Sequence, residues 1–284
     1  MKKTPDVKAM LLDGLKELRL PAIRSCFEEI AGRAASENLS YERYLLELVE
    51  RENEARRQNR IEKLLRQSRL PADKTLAAFD LKRLPGTMAA QVRSLVEGGF
   101  LERCENILAF GNPGSGKTHL LSAIGHELVL AGHSVYFTPT ALLVQDLLAA
   151  RRDLRLSRAL KKLGQFEAII LDDLGYVQQN RDEMEVLFTL LAERYERGSV
   201  MITSNLPFSA WEQIFKDPMT TAAAIDRLVH HSVILELNVP SYRMEAASTK
   251  RGRKGSAPQP DQAAPGSGDP DISATAADAP PAAS

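Results

Sequence analysis

Gly111-Asn112-Pro113-Gly114-Ser115-Gly116-Lys117-Thr118 is the stretch on which the reading turns. The apolar run Asn106 to Phe110 precedes it and a helical pattern from His119 to Ala131 follows it. The eight residues fit G-x-x-x-x-G-K-S/T in the setting that gives the pattern meaning, a strand turning through glycines into a helix. Consecutive amides there can face phosphate oxygens, and the helix N-terminus adds the positive end of its dipole. Lys117 is expected to hold the β- and γ-phosphates as a point charge, and Thr118 to ligate Mg²⁺. The expected phosphate-binding set runs Gly111, Asn112, Pro113, Gly114, Ser115, Gly116, Lys117, Thr118 and His119. A glycine-rich turn followed by a chance Lys-Thr pair is the competing reading.

Outward from the loop, short apolar runs alternate with helical patterns. Strands are expected at 106–110, 134–137, 168–171, 199–203 and 233–237, with helices at 117–131, 141–150, 182–197 and about 220–230. Ser209 and Glu212 fit a capping box over Trp211 and Phe215. Five buried strands separated by helices predict an α/β fold, a five-stranded parallel sheet covered on both faces. Residues 1–70 read as a small all-α unit, with helices at 7–18, 23–35 and 41–67 punctuated by Pro21 and Pro71. Residues 71–99 form a linker holding a short amphipathic helix, 100–246 the sheet domain, and 247–284 a Pro, Ala, Gly and Ser mixture expected to be disordered.

The 284 residues carry 37 Lys plus Arg against 37 Asp plus Glu, so the chain is not a globally basic nucleic-acid binder, and only local patches can serve that purpose. Cys26 and Cys104 have no His or Cys at ligand spacing and read as packing residues. No apolar run is long enough for a membrane span and no signal peptide is evident, so the expected place is the cytoplasm, away from membranes.

The strand at 168–171 ends in Asp172, where a carboxylate can join the Mg²⁺ coordination sphere; Asp173 follows, where it can polarise an attacking water. An ordinary strand-ending aspartate is the plainer reading. The next strand ends Ile202-Thr203-Ser204-Asn205, and the Asn205 amide can hold the γ-phosphate or the water, or simply form a turn before Leu206-Pro207. Asp172-Asp173-Leu174-Gly175 also fits D-x-x-G, but no N-K-x-D follows to read guanine.

Two segments are locally basic. Residues 51–69 hold seven basic side chains against three acidic, and 151–162 hold six (Arg151, Arg152, Arg155, Arg158, Lys161 and Lys162) against one. Either can track a phosphate backbone, and either can be a solvated helix face. No aromatic is interleaved at 151–162, which favours backbone tracking over base stacking.

The loop, Asp172-Asp173-Leu174-Gly175, Thr203-Ser204-Asn205 and Ala224-Ile225-Asp226-Arg227-Leu228, in this order, resemble the AAA+ ATPases of the initiator and helicase-loader group. Within that group the chain resembles the IstB-type transposition helper ATPases and is also similar to the helicase loader DnaC, over residues 1 to about 246. The resemblance implies ATP with Mg²⁺, hydrolysis to ADP and phosphate, and homo-oligomers with nucleotide at subunit interfaces. It makes Arg227 an arginine finger reaching a neighbour's γ-phosphate, although pairing with Asp226 or Glu236 is the alternative. It also implies a helical insertion at 151–162 that touches DNA, a duplex by preference, and a transposase as partner. A helicase loader on single-stranded DNA shares every catalytic residue. A metabolic P-loop kinase would need an acceptor pocket and a closing lid, and neither is found. After the fifth strand too little chain remains for the usual helical lid, so adenine is expected to rest on the linker around Leu76 to Gly86, with Arg243 as a partial substitute for the lid's arginine.

Overall fold

The computed structural model describes residues 6–175, 181–211, 218–239 and 241. Its centre is a parallel sheet of β1 (Asn106–Phe110), β2 (Val135–Pro139), β3 (Ala168–Leu174), β4 (Ser199–Ser204) and β5 (Ser232–Glu236), ordered β2-β3-β4-β1-β5. Ile107, Leu108, Ile169, Ile170, Leu171 and Met201 are wholly buried, as strands covered on both faces must be. On one face lie α4 (Gly86–Val96), the short α5 (Gly99–Glu102) and α6 (Lys117–Leu130); on the other lie α7 (Thr140–Arg152), α8 (Leu156–Leu163), α9 (Arg181–Arg194) and α10 (Pro218–Val229). The five expected strands are all present. Helix α5 was not expected, because four residues show no periodicity. Strand β3 runs three residues past Leu171 through a register shift that apolar patterning does not reveal. Phe208–Ala210 forms a single 3-10 turn, while Glu212, Phe215, Arg243 and residues 247–284 lie outside the described residues.

The N-terminal helices α1 (Val7–Glu17), α2 (Pro21–Glu37) and α3 (Tyr41–Ser68) share a small core of Leu15, Ile23, Ile30 and Leu48. Helix α3 has 28 residues, hence a length of about 42 Å. Its first half packs in that core, and near its end Leu64, Leu65 and the following Leu70 pack on the main core. One unbroken rod therefore joins the helical unit to the helix that begins at the glycine loop.

Much of the basic charge of residues 51–69 is spent inside the chain. Arg56 pairs with Glu52, Arg57 with Glu54, Arg60 donates to the Gly132 carbonyl, and Arg69 lies 5.4 Å from the Tyr136 ring centre. Arg51, Lys63 and Arg66 are the exposed remainder. Buried Arg194 closes the far end of the sheet domain, donating to the Leu163, Phe166, Glu167 and Ser199 carbonyls; burial lowers its pKa to about 10, so it stays charged at neutral pH.

Glu52 ties α3 to α2. It is 4% exposed and accepts from the Ala22 and Ile23 amides, which open α2, and from Arg56. Burial pushes its carboxyl up, but hydrogen bonds from Arg56, Ile23 and Ala22 together outweigh that and hold it below the ordinary carboxylate range. Glu52→Ala should cost about 1–3 kcal/mol in urea unfolding of the full chain, because two amides lose their acceptor. A lowered folded-state pKa means that the contribution is complete above the unfolded carboxylate value and is lost as pH falls through the folded one. The gap between wild type and Glu52→Ala should therefore narrow on acidification.

Candidate functional site

The loop between β1 and α6 lies at the carboxyl ends of β1, β3 and β4, the edge where open α/β sheets bind ligands. Gly116 takes the N-cap position of α6, with no side chain occupying the first-turn amides. Lys117, nearly buried, donates from Nζ to the Gly111 carbonyl at 2.8 Å and the Asn112 carbonyl at 3.0 Å, which aims the ammonium across the loop. Gly111 has φ 150°, and a Cβ there would stand 2.5 Å from the Leu237 carbonyl oxygen; at Gly114, φ 83°, it would strike the Ser241 hydroxyl. Glycine is required at both positions because the chain leaving β5 passes directly over the loop.

A cavity of about 330 Å³ opens beside the loop. Pro113, Gly114, Ser115, Gly116, Lys117, Thr118 and His119 line it, together with Asp173 and Asn205. Gly111 and Asn112 do not line it, and their carbonyls serve Lys117 instead. Its other wall is Lys74, Ala78, Phe79, Asp80, Arg83, Leu84 and Val239. Phe79 falls within the Leu76 to Gly86 linker expected beside the nucleotide, whereas Val239 carries no sign in the sequence. The ring of Phe79 meets His119 edge-on at 5.2 Å, and the linker is held to α6 by His119 Nε2 at the Thr75 carbonyl and His126 Nε2 at the Pro71 carbonyl, each at 3.0 Å.

Asp172 lies at the end of β3, 7% exposed, with Oδ1 accepting from the Thr203 hydroxyl at 2.7 Å and its carbonyl accepting from Thr140 Oγ1 at 2.9 Å. Asp173 is exposed and left-handed, φ 57°, at the register shift, which re-aims its side chain toward the cavity. Asn205 follows β4 in a turn where Ser204 Oγ donates to the Leu206 carbonyl and accepts from the Leu206 amide. Buried Trp211 anchors that turn through Nε1 to the Leu206 carbonyl and meets Phe208 edge-on, and Phe208 in turn meets Phe110.

The residues fit a nucleotide with its cation. Ser115 Oγ and Asn205 Oδ1 are buried without a hydrogen-bond partner among the described residues, and both belong to residues lining the cavity. Buried polar atoms are normally paired, so two orphans at a glycine cradle mark a place for a polar ligand. Thr118 and Asp172 offer hard oxygens of the kind Mg²⁺ takes.

Arg227 does not reach this cavity. It lies on α10, near the opposite end of the sheet, 4.7 Å from the Phe188 ring centre, with Nη1 donating to the Ala223 carbonyl. It lines a separate hollow with Asn106, Arg194, Tyr195 and His231, and among the described residues it forms no ion pair with Asp226 or Glu236. Of the basic segment at 151–162, Arg151 ends α7 paired with Glu185 at 3.1 Å and Asp182 at 3.8 Å. Arg152, Arg155, Arg158, Lys161 and Lys162 are exposed, while Leu156, Ala159, Leu160 and Leu163 turn α8 onto the core.

Comparison with known proteins gives the family. The family described as IstB-like ATP binding protein matches residues 13–250. A Sinorhizobium fredii protein named for an insertion sequence and for ATP binding is 45% identical over 242 residues, 85% of this chain and 81% of that one. A Pseudomonas aeruginosa protein named for insertion sequence IS21 and ATP binding is 39% identical over 231 residues, 81% and 87% of the two chains. Among solved structures, AMPPCP-bound DnaA from Aquifex aeolicus superposes with a TM-score of 0.52 at 16% identity, covering 68% of this chain and 58% of that one, a likeness of fold. The order of the strands, the glycine loop and the match over most of the chain agree: this chain belongs to the IstB-like ATP binding protein family.

Proposed function

We propose that this chain is an ATP-hydrolysing, DNA-binding helper of a transposase, assembling on duplex DNA with ATP bound and using hydrolysis to regulate transposition. The observation that carries the reading is the meeting of Lys117, Thr118, Asp173 and the unpaired Oδ1 of Asn205 at one cavity, with Asp172 buried behind it, in a chain whose relatives are named for insertion sequences. The loop amides and Lys117 grip the β- and γ-phosphates, and Asn205 orients the γ-phosphate or the attacking water. Asp173 accepts the hydrogen bond that polarises that water. Thr118 and Asp172 would hold Mg²⁺, which when bound would neutralise charge on the β- and γ-phosphates. Phe79 and Val239 supply apolar walls for adenine.

Because Arg227 does not line its own chain's cavity, its role is assigned to a neighbour's nucleotide. An arginine supplied in trans makes hydrolysis depend on assembly. The exposed cations at the end of α7, before α8 and along α8, namely Arg152, Arg155, Arg158, Lys161 and Lys162, form the DNA face. Arg151 is assigned instead to the α7–α9 contact through Glu185 and Asp182. Partner identity is inferred from the insertion-sequence relatives.

Lys117→Ala should abolish ATP binding in calorimetry, whereas Arg227→Ala should bind ATP normally and lose turnover by at least about a thousandfold, within the range of a finger's contribution. Full DNA-stimulated turnover in Arg227→Ala contradicts the trans assignment. Duplex affinity should fall steeply with salt. Each alanine at Arg152, Arg158 or Lys161 should reduce the log–log slope by about 1, while Arg151→Ala leaves it unchanged. A flat salt dependence returns α8 to a solvated helix, and preference for single strands moves the reading to a helicase loader.

A further inference from the structure

Thr203 is buried to 0% exposure at the end of β4, and its hydroxyl touches both carboxylate residues of β3. Between Leu171, which pairs with Ile202, and Leu174, which pairs with Ser204, β3 bulges and leaves Asp172 and Asp173 outside the regular ladder with β4, while Asp172 keeps its register with Pro139 of β2. Asp173 there has φ 57°, a left-handed angle costing a residue with a Cβ about 1–2 kcal/mol unless its surroundings hold it. The Asp173 amide donates to Thr203 Oγ1 at 2.7 Å. An amide can only donate, so the oxygen accepts there, and its own hydrogen goes to Asp172 Oδ1, also at 2.7 Å. That distance fits a charge-assisted bond to a carboxylate.

We infer that Thr203 is a positioning residue for hydrolysis: one hydroxyl fixes the Asp172 carboxylate and holds Asp173 in the bulged conformation that presents its side chain to the cavity. With Oδ1 committed to the hydroxyl, Oδ2 of Asp172 is the oxygen left for a cation or its hydration water. The inference rests on the ATPase reading, since it assigns Thr203 a part in that reaction. Thr203 touches no substrate atom, so its loss should slow the chemical step and leave nucleotide binding, which depends on the loop, nearly intact.

The test compares Thr203→Val, which keeps the shape and β-branching but removes the hydroxyl, with Thr203→Ser, which restores it. In the full chain with DNA present, Thr203→Val should lose at least about tenfold in kcat with KM for ATP within about threefold, and Thr203→Ser should stay within about threefold of wild type in both. Without nucleotide, the Asp173 amide should exchange with solvent at least about tenfold faster in Thr203→Val and at the native rate in Thr203→Ser. Wild-type turnover with Thr203→Val inside about twofold overturns the inference alone, as does Thr203→Ser being as impaired as Thr203→Val, which would mean that packing matters and the hydroxyl does not. A wild-type chain that hydrolyses no ATP overturns the ATPase reading and this inference with it.

Discussion

Three parts of the chain press against the glycine loop, and that crowding is the constraint on which the rest depends. The Leu237 carbonyl would stand 2.5 Å from a Cβ at Gly111, the Ser241 side chain occupies the space beside Gly114, and the Phe79 ring would be 3.3 Å from a Cβ at Gly116. Strand β5 pairs with β1, so its exit must cross the loop that leaves β1. The loop's glycines therefore do two jobs, freeing amides for phosphate and letting neighbouring backbone close over it. Among the described residues after β5, Leu237 and Ser241 are the two that meet the loop.

The crowding gives a physical path from the nucleotide site to the helical unit. Phe79 touches the loop, its segment is held to α6 through His119 and His126, and the same segment continues directly from α3. Helix α3 is anchored at one end in the N-terminal core and near the other on the main core.

The sequence revealed those parts of the site whose chemistry obliges a residue type at a spacing. Gly111 to Thr118 was legible because the pattern obliges glycines, then Lys, then Ser or Thr, and Asp172 and Asn205 were legible as polar ends of apolar strands. The bulge at Asp173 was not, since two residues facing one across a ladder leave the apolar pattern unchanged. A threonine in a strand is ordinary, so nothing in the pattern marks Thr203; the signal is geometric, its level beside Asp172. For residues 51–69 net charge leaves phosphate tracking and a solvated, ion-paired face both open; Arg56 and Arg57 pair within the helix, and Arg60 and Arg69 have partners elsewhere in the chain. Net charge likewise does not show that Arg151 belongs to Glu185.

The proposed site is half a site: phosphate grip and carboxylates in one chain, the arginine presented elsewhere on the surface for a neighbour. Mixing two inactive chains tests this most directly. Lys117→Ala supplies Arg227 but holds no nucleotide, and Arg227→Ala holds nucleotide but supplies no finger. With DNA present, the mixture should hydrolyse ATP well above the sum of the two alone, because some interfaces pair an intact loop with an intact finger. If each variant alone is inactive and the mixture is no better than their sum, Arg227 does not act across a subunit interface and the shared-site account is wrong.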